Sequence, residues 1–194
     1  MSKVDVVEIL KKSDALLEGH FLLSSGKHSN RYVQCAKVLR FADHAEAVLS
    51  TVVAQIKDLD IDLVVGPAMG GVIVSYELGR QLKKEAVFTE RKDGVMELRR
   101  GFEVKKDARI IIAEDVVTTG KSTIETKVAL EKLGGEVIGV ACIADRTSSD
   151  IGIPIYSAIK LDIQVHDADN CSICSEGKIN LIKPGSREFK EIGM

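Results

Sequence analysis

Hydrophobic positions in this chain change rhythm near residue 60. The opening stretch MSKVDVVEILKKSDALLEG carries acidic and basic residues inside an apolar pattern of helical spacing and predicts an amphipathic helix. Polar, glycine-containing GHFLLSSGKHSNRYVQ follows it, and a second helical pattern covers about 43–57. Beyond residue 60, short runs rich in Val and Ile alternate with helical patterns. IDLVVG (61–66), EAVFTE (85–90), ARIIIAED (108–115), EVIGVACIADR (136–146) and PIYSAIK (154–160) are the predicted strands. Helices are predicted at about 71–84 and 121–133; in the second, Thr126, Ala129, Leu130 and Leu133 share a face and Gly134-Gly135 stop it.

Continuous apolar strands separated by helices predict an α/β fold, with a central, mostly parallel sheet and helices on both faces. Ligands of such sheets bind beyond the carboxyl ends of the strands. The positions of interest are therefore residues 66–71, Glu90-Arg91-Lys92, Glu114 to Ser122, and Asp145-Arg146. No internal repeat, low-complexity tract or linker interrupts the chain.

The segment IIIAEDVVTTGKST (110–123) combines two carboxylates with a phosphate-like loop. A Walker A reading fails, because the glycine required five residues before Gly120 is Asp115. What remains is a strand, a loop and a helix N-terminus. Backbone N–H groups of 116–122 and the hydroxyls of Thr118, Thr119, Ser122 and Thr123 make a monophosphate cradle. Glu114 and Asp115 at the strand tip suit the diol of a ribose whose 5-phosphate the loop holds. The alternative is that the two acids only end a strand and cap a helix.

Charge and composition narrow the classes. Lys and Arg number 27 against 29 Asp and Glu, a net charge of −2, and aromatics make up 4% with no Trp. That balance disfavours a nucleic-acid surface. The longest apolar region, LVVGPAMGGVIV, is too short and too glycine-rich to span a bilayer, and the N-terminus is no signal peptide, so a cytoplasmic protein is expected. Of four cysteines, Cys35 and Cys142 sit in apolar surroundings and read as buried thiols. Cys171 and Cys174 form a C-x-x-C whose only nearby potential ligands in sequence are His166 and Asp167, so an ordinary loop is expected there ahead of a metal or redox site.

IIIAEDVVTTGKST resembles the phosphoribosyl-pyrophosphate motif of type I phosphoribosyltransferases: hydrophobic strand, two acids, two small apolar residues, then a Thr/Gly/Ser loop. Over nearly its whole length the chain is similar to the orotate phosphoribosyltransferase family. FLLSSGKHSNRYVQ resembles that family's hood over the base, GPAMGG its pyrophosphate loop, TERKDG its basic strand end and ADR its base-recognition arginine; CSICSEGKINLIKPGSR looks like the tail of one branch. The resemblance implies a single domain over 1–194, with hood and helices over about 1–60, an α/β core over about 61–165 and a tail over 166–194.

It implies transfer of phosphoribosyl from 5-phosphoribosyl 1-pyrophosphate to orotate, giving orotidine 5′-phosphate in pyrimidine synthesis. It also implies Mg²⁺ carried mainly by substrate without direct protein ligands, and a homodimer. Glu114 and Asp115 would be the catalytic pair, and Val116, Val117, Thr118, Thr119, Gly120, Lys121 and Ser122 the phosphate loop. Arg91 and Lys92, with Ala68, Met69, Gly70 and Gly71, would take the pyrophosphate, although Arg91-Lys92 also reads as a solvated charge pair. Thr118 and Arg146 would contact orotate, the guanidinium matching its carboxylate in two places. Tyr32, Val33 and Phe21 are either ring contacts or ordinary core.

Three departures from the family pattern stand out. Ser24 and Gly70 occupy positions where many members have lysine, and no Lys-x-His occurs in DGVMELRRGFEV after Lys92. Arg99 and Arg100 could supply the loop's charge, and Ser25, Lys27 and His28 that of the hood. A purine-type transferase conflicts with Arg146, because purines carry no carboxylate. A nucleic-acid-binding regulator on the same fold would need an added domain or a basic face, and −2 net charge shows neither.

Overall fold

The structure is a computed structural model that describes residues 4–23, 26–163, 165–184 and 190–191. Helix α1 (Val6–Lys12) starts at Asp5, whose carboxylate accepts the Glu8 N–H at 3.0 Å. It is shorter than predicted. Ser13 closes it, Asp14 turns the chain at φ 53, and the next apolar residues become strand β1 (Leu16–Leu22). β1 pairs antiparallel with β2 (His28–Val33), so the polar stretch after α1 is a hairpin. Its pairing partner was not readable from periodicity, because Gly19 and a register shift between Glu18 and Phe21 break the alternation.

Helices α2 (Ala36–Leu39) and α3 (Ala42–Ile56) follow; α3 buries Ala45, Val48, Leu49, Val52 and Ile56 along one stripe. The core then runs β3 (Leu63–Pro67), α4 (Gly70–Leu82), β4 (Glu85–Lys92), β5 (Val95–Leu98), β6 (Arg109–Val117), α5 (Lys121–Lys132), β7 (Glu136–Asp145) and β8 (Ile155–Lys160). These strands form a six-stranded sheet in the order β5-β4-β3-β6-β7-β8. All neighbours are parallel except β4 and β5. All five predicted strands are present. Strand β5 is the addition: Asp93 and Gly94, at φ 50 and 85, form a two-residue hairpin turn inside what read as loop.

Side chains alternate across β6. Ile111 and Ala113 join Val48, Leu49, Val74 and Leu78 of α3 and α4, while Ile110 and Ile112 face Leu130 of α5. The sheet is thus covered on both faces, as its uninterrupted apolar strands require. On α5, Thr126 and Leu130 are fully buried, but Leu133 is 51% exposed because the helix has already ended at Lys132.

A second sheet, in the order β11-β10-β1-β2-β9, assembles on the β1–β2 hairpin. It adds β9 (Val165–His166), β10 (Ile182–Lys183) and β11 (Lys190–Glu191); a single 3-10 turn and α6 (Ser172–Glu176) lie between β9 and β10.

One seam positions the site. A Cβ on Gly66 would lie 2.0 Å from the Gly71 carbonyl oxygen, and one on Gly71 would lie 2.4 Å from that of Ala113. The β3–α4 turn therefore rests backbone to backbone on β6, a contact only glycine allows.

Candidate active site

The parallel strands bring the ends of β3, β4, β6 and β7 to one edge, and the Arg146 N–H donates to the Val117 carbonyl at 2.8 Å to tie two of them together. At the centre are the two acids of β6. Glu114 is 5% exposed and accepts the Ser122 hydroxyl at 2.6 Å. Burial pushes its carboxyl up from 4.5 to about 7, with the Asp115 charge adding to the rise and Ser122 opposing it. Burial also raises Asp115, against the Val116 N–H that donates to it at 2.8 Å.

A Cβ on Gly70 would lie 2.4 Å from the Asp115 carboxyl carbon. The Asp115 side chain fills the space that any side chain at position 70 would need. Ala68 donates its N–H to the Thr89 carbonyl at 2.8 Å, and Met69 projects outward at 85% exposure.

Beyond the acids, residues 116–123 curl around a cavity of about 630 Å³ whose lining also includes Arg91 and Gly94. Gly120, at φ 70, caps α5, and the Lys121 N–H reaches Thr119 Oγ1 at 3.4 Å. Thr118 and Thr119 are exposed; Thr123, counted among the cradle hydroxyls from sequence, is buried at 1%. Ser122 divides its role, since its hydroxyl is already given to Glu114.

The basic residues differ in freedom. Arg91 pairs with Glu125 of α5 and donates to the Gly94 carbonyl at 2.6 Å. Lys92 is exposed at the end of β4. Arg100 grips Glu90 through Nε at 2.9 Å and a terminal nitrogen at 2.8 Å, and Arg99 approaches the same carboxylate at 4.0 Å. Both arginines proposed to charge the loop are thus held by Glu90 on β4.

Arg146 is half-buried; burial lowers its guanidinium below the usual value, and its buried Nε has no hydrogen-bond partner among the described residues. The adjacent Asp145 does not serve it: that carboxylate accepts the Thr147 N–H and hydroxyl at 2.8 Å and lies 3.6 Å from Lys160 Nζ. Tyr32 of β2 and Cys35, the residue before α2, lie near the Arg146 guanidinium.

The hood residues separate. Tyr32 is half-buried and packs on Phe21 at 5.9 Å between ring centroids, whereas Phe21 and Val33 are buried. Ser25 lies outside the described residues. Lys27 pairs with Asp167 at 3.1 Å. His28 is 5% exposed and faces His20, so it does not replace a hood lysine.

Residues 36–164 match the phosphoribosyl transferase domain, so the edge just described is that of a phosphoribosyltransferase. The chain is 47% identical, over 97% of its own length and all of the relative, to the orotate phosphoribosyltransferase of Caldanaerobacter subterraneus subsp. tengcongensis. It belongs to the orotate phosphoribosyltransferase family.

Solved structures share the fold. The orotate phosphoribosyltransferase of Aeropyrum pernix matches with a TM-score of 0.66 at 23% identity, over 81% of this chain and 94% of that one. The Mycobacterium tuberculosis enzyme in complex with 5-phospho-α-D-ribosyl 1-diphosphate matches with a TM-score of 0.64 at 22% identity, over 80% and 96%.

The raised Glu114 carboxyl has a consequence for stability. Between its ordinary value of 4.5 and its folded value of about 7, the native state keeps a proton that the unfolded chain has lost. Stability from this group therefore falls as pH rises through that window and is level above it, a change on the order of 3 kcal/mol. Glu114→Gln removes the dependence. Denaturant midpoints at pH 4.5 and 7.5 should show the variant gaining on the parent at the higher pH; an unchanged difference would contradict the buried-carboxyl assignment.

Proposed function

We propose that this edge joins orotate to the ribose of 5-phosphoribosyl 1-pyrophosphate. The orotate ring nitrogen gives up its proton to solvent and bonds to C1′, the bond from C1′ to the pyrophosphate oxygen breaks, and pyrophosphate leaves with the electron pair. The observation that carries the orotate reading is Arg146. It is a half-buried guanidinium with no carboxylate partner among the described residues. An uncompensated cation in such a place is costly unless a ligand supplies the anion. A planar carboxylate does so through paired hydrogen bonds, and orotate carries one where uracil, hypoxanthine and adenine do not.

Each remaining group has a role in positioning. Residues 118–122 would hold the 5-phosphate through backbone N–H groups and hydroxyls at the α5 N-terminus. Glu114 and Asp115 would accept from the ribose hydroxyls and, when ionised, favour the positive charge that develops at C1′. Ala68 to Gly71, Arg91 and Lys92 would receive the pyrophosphate, Arg91 by exchanging Glu125 for it. Tyr32, next to Arg146, is the better ring contact, since Phe21 and Val33 are already buried.

Mg²⁺ suits this oxygen-rich tip: it prefers oxygen ligands, keeps several waters and is commonly bound through substrate phosphates. We therefore assign it to the pyrophosphate, where it would offset the leaving group's charge. Among the described residues no helix is long and apolar enough to cross a membrane, and we place the enzyme in the cytoplasm.

A homodimer with sites at a twofold interface completes the proposal. It is supported by Met69, Ile73 and Tyr76, exposed at 85%, 49% and 69% and spaced to lie along one side of α4. Sedimentation at assay concentrations should give a dimer, and a fully active monomer would contradict shared sites.

The activity is tested by the loss of orotate absorbance with 5-phosphoribosyl 1-pyrophosphate and Mg²⁺, beside uracil, hypoxanthine and adenine. Only orotate should be consumed. Arg146→Ala should lose about 2–5 kcal/mol of orotate binding, seen as a raised KM or abolished turnover. Calorimetric binding of 5-phosphoribosyl 1-pyrophosphate should stay near that of the parent. Arg146→Lys should recover only part, since a point charge does not reproduce the fork. An alanine variant that used orotate like the parent would remove Arg146 from base recognition.

A further inference from the structure

Four side chains, up to 154 positions apart in sequence, converge at the β1–β2 hairpin of the small sheet. His20 Nε2 lies 3.1 Å from His28 Nδ1, 3.5 Å from Cys171 Sγ and 3.6 Å from Cys174 Sγ, and Cys174 Sγ lies 3.2 Å from His28 Nδ1. All four atoms fall within 4.8 Å of one another. The C-x-x-C that read as an ordinary loop thus has its second ligand pair, from strands β1 and β2 and not from the sequence-near His166 or Asp167. His166 instead sits opposite His28 in the β2–β9 ladder.

We propose that His20, His28, Cys171 and Cys174 bind one Zn²⁺ in a closed tetrahedral site that fastens the C-terminal segment to the β1–β2 hairpin.

Distances set the geometry. With Zn–N of about 2.0–2.1 Å and Zn–S of about 2.3 Å, tetrahedral edges are about 3.3 Å between nitrogens and about 3.6 Å between nitrogen and sulfur. The four quoted separations agree with those edges to about 0.4 Å or better. Local structure explains how the groups are presented. Cys171 is the N-cap of α6 and Cys174 lies three residues on, so one helical turn carries both sulfurs on one side. His20, His28 and Cys171 are 2%, 5% and 4% exposed, and Cys174, exposed, closes the cluster on the solvent side.

Hydrogen bonding alone does not account for the cluster. His20 Nδ1 lies 3.2 Å from the Ile179 carbonyl oxygen, which only accepts, so Nδ1 carries the proton and Nε2 has a single lone pair. Three groups lie within 3.6 Å of that one acceptor. A cation at the centre uses all four lone pairs at once, and the Ile179 contact is the outer-shell partner that orients a metal-binding imidazole. Binding releases two thiol protons to solvent, leaving two thiolates and two neutral imidazoles.

Four protein ligands leave no open position, which marks the site as structural. It also meets a need of this sheet. β9 and β10 are two residues each, and β10 touches β1 through one register pair, Phe21 with Ile182. Strands so short contribute little core, and a metal supplies the missing folding energy.

The test uses the full-length protein. Elemental analysis after gel filtration should find one zinc per chain. A mercurial that blocks thiols should release it, and metal-stripped protein given Co²⁺ should show intense visible bands of tetrahedral cobalt with a thiolate charge-transfer band. Cys171→Ser/Cys174→Ser should lower zinc affinity by at least about tenfold and abolish the bands. If that variant fails to fold, the cobalt spectrum of the parent decides alone. Parent protein that holds no zinc and stays colourless with Co²⁺, that holds iron instead, or that forms a Cys171–Cys174 disulfide and retains no metal would overturn the proposal.

Discussion

The site depends on one close contact of backbone with backbone. Gly66 lets the β3–α4 turn fold tightly on Gly71, and Gly71 in turn lies directly on β6, with no room for a single methyl group at either position. That contact carries Gly70 against the Asp115 carboxylate, while Glu114, on the other face of β6, is withdrawn from water beside Ser122 of α5. Desolvation raises both carboxyls, so they sit in a setting where charge–charge interactions are stronger than in solvent. Acids in that condition respond strongly to a developing positive charge beside them, which is the demand of phosphoribosyl transfer.

The cations around them are arranged by a different rule. Arg91 and Arg100 are held by exposed or partly exposed carboxylates, Glu125 and Glu90. Solvent-screened pairs of this kind hold weakly, so the proposed pyrophosphate would displace Glu125 at little cost. Among the described residues Arg146 has no such placeholder, and its buried Nε is unpaired. In the proposed assignment the leaving group would meet a cation, Arg91, that exchanges its partner, whereas the base would meet Arg146. On that proposal, discrimination among bases would follow from Arg146, because a ligand without an anion would leave the guanidinium buried and unpaired.

Local signals made the sheet legible. The five Val/Ile runs and the helices after β3 and β6 appear within a few residues of their predicted bounds, because uninterrupted apolar strands, a start at Gly120 and a stop at Gly134-Gly135 are local features. Glu114, Asp115 and residues 116–122 were legible for the same reason: strand, acids and loop are contiguous. What escaped depends on distant partners. Leu16–Leu22 fits a helical pattern as well as a strand until β2 pairs with it. Arg99 and Arg100 look free until Glu90 is placed across the hairpin. His20 and His28 gave no sign of Cys171 and Cys174, since no spacing rule links positions so far apart.

The central claim is that the desolvated β6 acids hold the ribose and its developing charge. Asp115→Asn tests it most directly, because the substitution keeps size and shape and removes only the ionisable oxygen. Steady-state turnover of orotate with 5-phosphoribosyl 1-pyrophosphate, measured on variant protein whose melting profile matches the parent, should fall by about tenfold to a thousandfold. Turnover equal to that of the parent would contradict the account.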